Sequence, residues 1–195
     1  PKYIKNSPLT EKEKRKKYQS LFAKTPGSIA APTASLHFTN RVFRNLDEKK
    51  IPRLFLSLHV GMGTFSPVRE ENLKTGKLHK EQYEIGEKTA DKILSYKEKN
   101  KFCVAVGSTS ARTLETFVKN KKLSGSTDIF IHPPYKFKMV DGLITNFHVP
   151  NSSLMMMVQA FLESKGAKKT LKELYEIAMK EGFRFYSFGD AMLIV

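Results

Sequence analysis

The sequence predicts an α/β fold, a largely parallel sheet flanked by helices in a partial or distorted (β/α)-barrel-like arrangement. Two observations predict it. From Pro26 onward, short apolar runs of strand length alternate with amphipathic segments of helical spacing, the pattern of parallel strands joined by crossover helices. The chain has 195 residues, fewer than the roughly 250 a closed (β/α) barrel needs, so the barrel is partial or the sheet open.

Residues 1–23 are polar, carry the basic cluster Lys14-Arg15-Lys16-Lys17, and read as a lead-in helix or linker arm. Residues 24–195 then read as the α/β catalytic domain. Asn40 to Lys50 places Val42, Phe43 and Leu46 at helical spacing. Leu54 to Val60 has the length and apolar content of a strand. Gln82 to Asn100 reads as a helix with Ile85, Ala90, Ile93 and Leu94 as its buried stripe. Phe102 to Val106 is the next strand, succeeded by a helix from Ala111 to Asn120 and a strand through Ile129-Phe130-Ile131.

Phe137 to Val140 and Leu143 to Thr145 flank Asp141-Gly142, a pair that favours a tight hairpin turn. Ser152 or Ser153 caps an apolar helix through Met155, Met156, Met157, Ala160 and Phe161. Thr170 and Glu173 have capping-box spacing and open the last helix, with Leu174, Ile177 and Ala178 facing inward. Phe183 to Phe188 and Ala191 to Val195 close the chain.

Composition narrows the function classes. A hydrophobic fraction of 40% with 14 Phe describes a folded domain. There is no uninterrupted apolar run of about 18 residues to span a bilayer. The opening Pro1-Lys2-Tyr3-Ile4-Lys5 lacks the apolar core of a secretion signal, so the expected location is cytoplasmic. Cys103 is the single cysteine, which excludes an intramolecular disulfide and a cysteine zinc cluster. Its apolar setting makes it a core residue rather than a nucleophile. Net charge is +15, concentrated in Lys12–Lys17, Lys119–Lys122 and Lys165–Lys172. Such an excess suits a polyanionic partner, although Lys-rich solvated helices give the same count.

The informative feature is the loop at the end of each buried run. Leu54 to Val60 leads into Gly61-Met62-Gly63-Thr64, Phe102 to Val106 into Gly107-Ser108-Thr109-Ser110-Ala111-Arg112, and Leu143-Ile144 into Thr145-Asn146-Phe147-His148. Loops leaving the carboxyl ends of parallel strands converge on one ligand mouth. Gly61-x-Gly63 lacks the third glycine of a dinucleotide fingerprint, and no Gly-Lys-Ser/Thr comes after Gly107, so nucleotide-triphosphate chemistry is disfavoured. His37, His59 and His148 are the candidate acid–base residues, and a histidine set among apolar residues is also a common structural residue. They do not form an His-x-His or His-x-x-x-His pair, which argues against metal. Arg112 reads either as a fork for a carboxylate or phosphate or as an i,i+3 pair with Glu115. Asp190, in Ser187-Phe188-Gly189-Asp190, is a turn residue or a site carboxylate.

Six stretches carry a specific resemblance. They are Pro26–Thr39, His59–Val68, Gly107–Glu115, Thr127–Ile131, Asp141–Pro150 and Arg184–Ile194. In this order they resemble the S-adenosylmethionine:tRNA ribosyltransferase-isomerase family of queuosine biosynthesis, from about Tyr18 to the end. Ser35 stands at a usual glycine, Pro134 within a usual Pro-Gly-Tyr, and Gly76 where the family often has a histidine ahead of His79.

The resemblance implies that this is the C-terminal, larger part of such an enzyme, with the family's inserted β-barrel domain absent. It implies transfer of the ribosyl part of S-adenosylmethionine to the 7-aminomethyl-7-deazaguanine wobble base of tRNA. Isomerisation to an epoxycyclopentanediol then releases adenine and methionine. S-adenosylmethionine is a co-substrate, tRNA the partner, and no true cofactor, metal or membrane is expected of a monomer. His37, His59 and His148 take the catalytic role. Gly61, Gly63, Thr64, Thr109, Arg112, Glu115, Asn146 and Asp190 take substrate binding. The competing classes are a non-catalytic tRNA-binding module and a metal-dependent hydrolase.

Overall fold

The structure is a computed structural model that describes residues 8–23, 27–28, 30–61 and 68–195. It is mixed α/β. The helices are α1 (Glu11–Lys17), α2 (Asn40–Glu48), α3 (Glu70–Thr75), α4 (Glu87–Glu98), α5 (Ser108–Asn120), α6 (Ser153–Ser164) and α7 (Leu171–Lys180). A short 3-10 helix covers Thr33–His37. The strands are β1 (Ser57–His59), β2 (Lys77–Glu84), β3 (Val104–Val106), β4 (Ser124–Ile129), β5 (Gly142–Asn146) and β6 (Ala191–Ile194).

The largely parallel sheet is corrected. The strands form two three-stranded sheets, β1-β2-β4 and β3-β5-β6. Among the described residues only β3 and β5 run parallel, whereas β1–β2, β2–β4 and β5–β6 are antiparallel. Helix α5 contacts strands of both sheets and buries residues on nearly every side, from Ala111 to Phe117 and Val118. A helix covered all round is a core element rather than a surface one. Around it lies one apolar cluster that includes Ile85, Ile93, Phe117, Leu143, Val158 and Phe161.

Three other expectations fail for identifiable reasons. The helix expected from Gln82 begins only at Glu87, because residues 77–84 form β2. Its inward positions Glu81 and Tyr83 alternate with exposed ones, but the charged Glu81 hides the period of two. The Asp141-Gly142 hairpin does not form. The backbone N–H groups of Lys138, Met139 and Val140 donate to the Glu115 carboxylate, so this segment has none left for a ladder. Gly142 instead opens β5 against Val104. On α7 the capping box of Thr170 and Glu173 forms, Ala178 is buried and Leu174 packs on the core as expected, yet Ile177 is 44% exposed and Leu171 and Tyr175 complete the inner face instead.

Other differences are smaller. The run from Leu54 pairs only at Ser57–His59, α5 starts directly after Gly107, and the strand expected at Ile129 lies earlier, in the polar run Ser124–Ile129. Cys103 is half-buried, and burial pushes its thiol up to about 11, so it stays protonated. Helix α1 buries no residue of its own. The chain after it is anchored by the ring contacts of Tyr18 with Phe188 and of Phe22 with Phe43 and Phe55. No helix of the described residues is long and apolar enough to cross a membrane.

Candidate active site

Asn146 ends β5 and is 3% exposed. The Thr33 hydroxyl, from the 3-10 helix, donates to Asn146 Oδ1 at 3.0 Å. Asn146 Nδ2 lies 3.4 Å from His37 Nε2 and 3.4 Å from the backbone carbonyl oxygen of Asp190. One amide thus joins the 3-10 helix, the end of β5 and the turn before β6. Sequence reasoning misses Thr33. Its only trace is its place in the small-residue stretch Pro26–Thr39.

Gly107 seats the 3-10 helix against the start of α5. Its N–H donates to the Ile144 carbonyl at 2.8 Å. Its φ of +90° is a conformation that side chains disfavour. A Cβ there would lie 3.6 Å from Thr109 Oγ1 and 3.9 Å from the Ala34 methyl. Thr109 therefore sits beside the segment that carries Thr33 and His37.

His148 stands two residues beyond Asn146. Its Nε2 is 2.8 Å from the buried Thr145 hydroxyl, and its backbone N–H donates to the Tyr175 hydroxyl at 2.9 Å. Loss of solvent around the ring lowers its pKa to about 4. The ring is neutral at physiological pH. It can accept a proton or donate one neutral N–H, but it is no imidazolium.

Asp190 contributes through two groups. Its carbonyl holds Asn146, and its carboxylate accepts from the Arg184 backbone N–H at 2.8 Å and from Arg184 Nη2 at 2.7 Å. Hydrogen bonding to the Arg184 guanidinium holds the carboxyl down to about 2. Gly189 makes this turn possible, because a Cβ there would collide with the carbonyl oxygens of Arg184 and Phe185.

His59 ends β1, and its ring packs on the backbone of Gly27, where a Cβ would stand 3.2 Å from Nδ1. The next residue, Val60, donates its N–H to the Ser28 hydroxyl at 3.0 Å. Residues 27–28 therefore lie beside the end of β1, and Thr33–His37 beside the end of β5. Gly61 is half-buried; Gly63 and Thr64 lie outside the described residues. Among the described residues no hydrogen bond joins the three histidines to one another, and no three His, Cys, Asp or Glu side chains are grouped to hold a metal ion.

Arg112 and Glu115 lie elsewhere. Arg112 is 4% exposed and donates from Nη1 to Glu81 at 2.6 Å and from Nε to the Ile129 carbonyl at 3.3 Å. Its Nη2 is buried without a hydrogen-bond partner among the described residues. The i,i+3 pair with Glu115, one of the two readings of Arg112, does not form. Glu115 is 1% exposed and accepts from three backbone N–H groups at residues 138–140 and from the Tyr135 hydroxyl at 3.2 Å. That carboxylate acts as an internal cap for a loop.

The groups joined at Asn146 are its amide, the exposed His37, the Thr33 hydroxyl and the carbonyl of the ion-paired Asp190 turn, at the carboxyl end of β5, while the neutral His148 imidazole is held separately by Thr145. Groups of these types can hydrogen-bond hydroxyls and ring nitrogens, and an imidazole can carry single protons. The sequence profile of the family described as queuosine biosynthesis protein matches residues 1–194. The chain belongs to this family.

Among its relatives, the S-adenosylmethionine:tRNA ribosyltransferase-isomerase of Clostridium kluyveri is 49% identical over 198 residues. That match covers 100% of this chain and 56% of the relative. The enzyme of the same name from Halothermothrix orenii is 46% identical over 187 residues, covering 94% of this chain and 54% of the relative. The chain thus spans about half the length of the curated relatives it matches. A crystal structure of an S-adenosylmethionine tRNA ribosyltransferase from Thermotoga maritima is similar with a TM-score of 0.67 and 38% identity. That match covers 83% of this chain and 51% of the other. The family match extends through all six sequence stretches, so Asn146, His37 and Asp190 meet at the ends of strands drawn from family-matching segments.

Proposed function

We propose that this chain serves the transfer and isomerisation of the ribosyl moiety of S-adenosylmethionine onto the 7-aminomethyl-7-deazaguanine wobble base of tRNA. The observation that carries this reading is the junction at Asn146, which draws together residues from three separate family-matching segments. The co-substrate is S-adenosylmethionine, and no further cofactor takes part. The tRNA is attracted by the net charge of +15, and the chain acts as a cytoplasmic monomer.

Sulfonium chemistry acidifies the neighbouring ribose carbon, so a positioned base removes its proton, while departure of adenine is assisted by a proton or hydrogen-bond donor. His148, neutral near pH 7, suits the base. His37, exposed at the mouth, suits the donor, and His59 lines the β1 side. Thr109, Asn146 and Asp190 hold the ribose and methionyl groups together with Gly61, Gly63 and Thr64. Arg112 contributes the donor that its pair with Glu81 leaves over, and Glu115 supports the loop at 138–140.

Residues 24–195 form the catalytic unit and residues 1–23 its basic lead-in. The two sheets are taken as parts of a distorted barrel about α5, a reading supported by the contacts of that helix with both.

The experiment is to incubate the chain, and in parallel the full-length Clostridium kluyveri relative, with S-adenosylmethionine and precursor tRNA and to measure adenine. Alanine at His37, His59 or His148 is expected to lower adenine release by about 100-fold or more for a proton-transfer residue. Wild-type release in all three variants would remove the histidines from the mechanism.

A further inference from the structure

We infer that Thr33 and Asn146 are positioning residues that hold His37 as its Nδ1–H tautomer, so that the exposed ring presents a hydrogen-bond donor at Nδ1. The Asp190 backbone carbonyl can only accept, so the Asn146 atom 3.4 Å from it is the amide nitrogen. With the amide so oriented, its other atom, 3.0 Å from the Thr33 hydroxyl, is Oδ1, and the hydroxyl donates to it. The Asp190 carbonyl therefore sets the orientation of the amide, and the Thr33 hydroxyl holds the amide in it from a second element.

An amide NH2 has no lone pair to offer. The His37 nitrogen 3.4 Å from it, Nε2, is consequently the acceptor. The tautomer of a neutral imidazole is set by the bond its other nitrogen makes, which leaves the proton on Nδ1. No hydrogen bond to Nδ1 is formed among the described residues, and the His37 side chain is exposed. Building on the proposed function, the ligand group that fits is an acceptor atom of a nucleoside, a purine ring nitrogen or a ribose oxygen.

Thr33 acts only through Asn146 and His37, whereas Asn146 adds this positioning role to the substrate contact proposed for it above. The proposal is tested on the full chain with 15N-labelled histidine, by long-range proton–nitrogen correlation spectra at neutral pH. Such spectra report which ring nitrogen carries the proton. Wild type is expected to give the Nδ1–H pattern for His37, and Thr33→Ser to keep it. Thr33→Val, which loosens the amide, is expected to raise the population of the other tautomer. Asn146→Asp is expected to reverse the pattern, because a carboxylate accepts and draws the proton to Nε2.

An Nε2–H pattern in the wild type overturns the proposal, and so does an unchanged pattern in Asn146→Asp. Should Asn146→Asp fail to fold, the Thr33→Val and Thr33→Ser pair decides: equal spectra overturn the proposal. The readout does not depend on turnover. Loss of the ribosyl-transfer reading therefore leaves this result standing, and the reverse holds as well.

Discussion

Two polar clusters lie within this small fold, and they are built in opposite ways. On α5, Arg112 and Glu115 are 4% and 1% exposed, with contacts as short as 2.6 and 2.8 Å and nearly every charge-bearing atom engaged. At the end of β5, Asn146 makes bonds of 3.0 and 3.4 Å to partners that reach toward solvent. A saturated buried network fixes the scaffold, because any lost partner leaves a desolvated charge. A loose hub at a strand end can exchange its partners for ligand atoms at little cost. Burial of charge alone marks Arg112 and Glu115, yet their bonds are those of a scaffold, with Arg112 Nη2 the one buried side-chain group without a hydrogen-bond partner among the described residues.

Four measurements separate the two clusters. The largest effect is expected at the ion pair. Arg112→Ala or Glu81→Ala leaves its partner charged in the core and lowers the unfolding free energy by about 3–5 kcal/mol. Urea titration measures it, and the double replacement Arg112→Met with Glu81→Leu should lose less than either single alanine change.

Acid comes next. The folded-state pKa of His148, about 4, lies below the unfolded value near 6.5. Its contribution is therefore fully present above pH 6.5 and fades as pH falls toward 4. The whole window amounts to no more than about 3 kcal/mol. Unfolding at pH 7, 6 and 5 reads this, and a flat profile over that range contradicts it.

Third, Asn146→Ala is expected to lower stability by only about 1 kcal/mol, since its bonds are long, while reducing adenine release far more. A stability loss as large as that of Arg112→Ala would erase the distinction between the clusters. The smallest effect belongs to Arg184→Ala. The Arg184 side chain is 73% exposed in its pair with Asp190, and screening by solvent leaves the thermal midpoint almost where it was.

Much of the candidate site is legible in the sequence because glycine, threonine, asparagine and histidine residues cluster after apolar runs, and that clustering singles out Asn146, His148, Thr109 and Asp190 as candidates. The family, too, can be read from six stretches. The hidden part depends on contacts between distant segments. Glu81 reads as a surface charge until Arg112, 31 positions away, supplies its counter-ion, and with it the strand β2 disappears from the pattern. The loop at 137–140 reads as a strand until Glu115 takes its N–H groups. Thr33 reads as one more small residue until Asn146, 113 positions away, meets it. Side chains that bond across the fold leave no local period.

Gly189 turns this geometry into a rule about sequence variation. Its neighbours Arg184 and Phe185 leave their carbonyl oxygens no room for a methyl group, whereas Gly86 faces open space. In a library randomised at both positions and selected for adenine release, position 86 should return many amino acids and position 189 one. The shape of this turn is thus recorded as a ban on every other side chain. A single residue with no side chain becomes the most informative letter in the closing stretch of the chain.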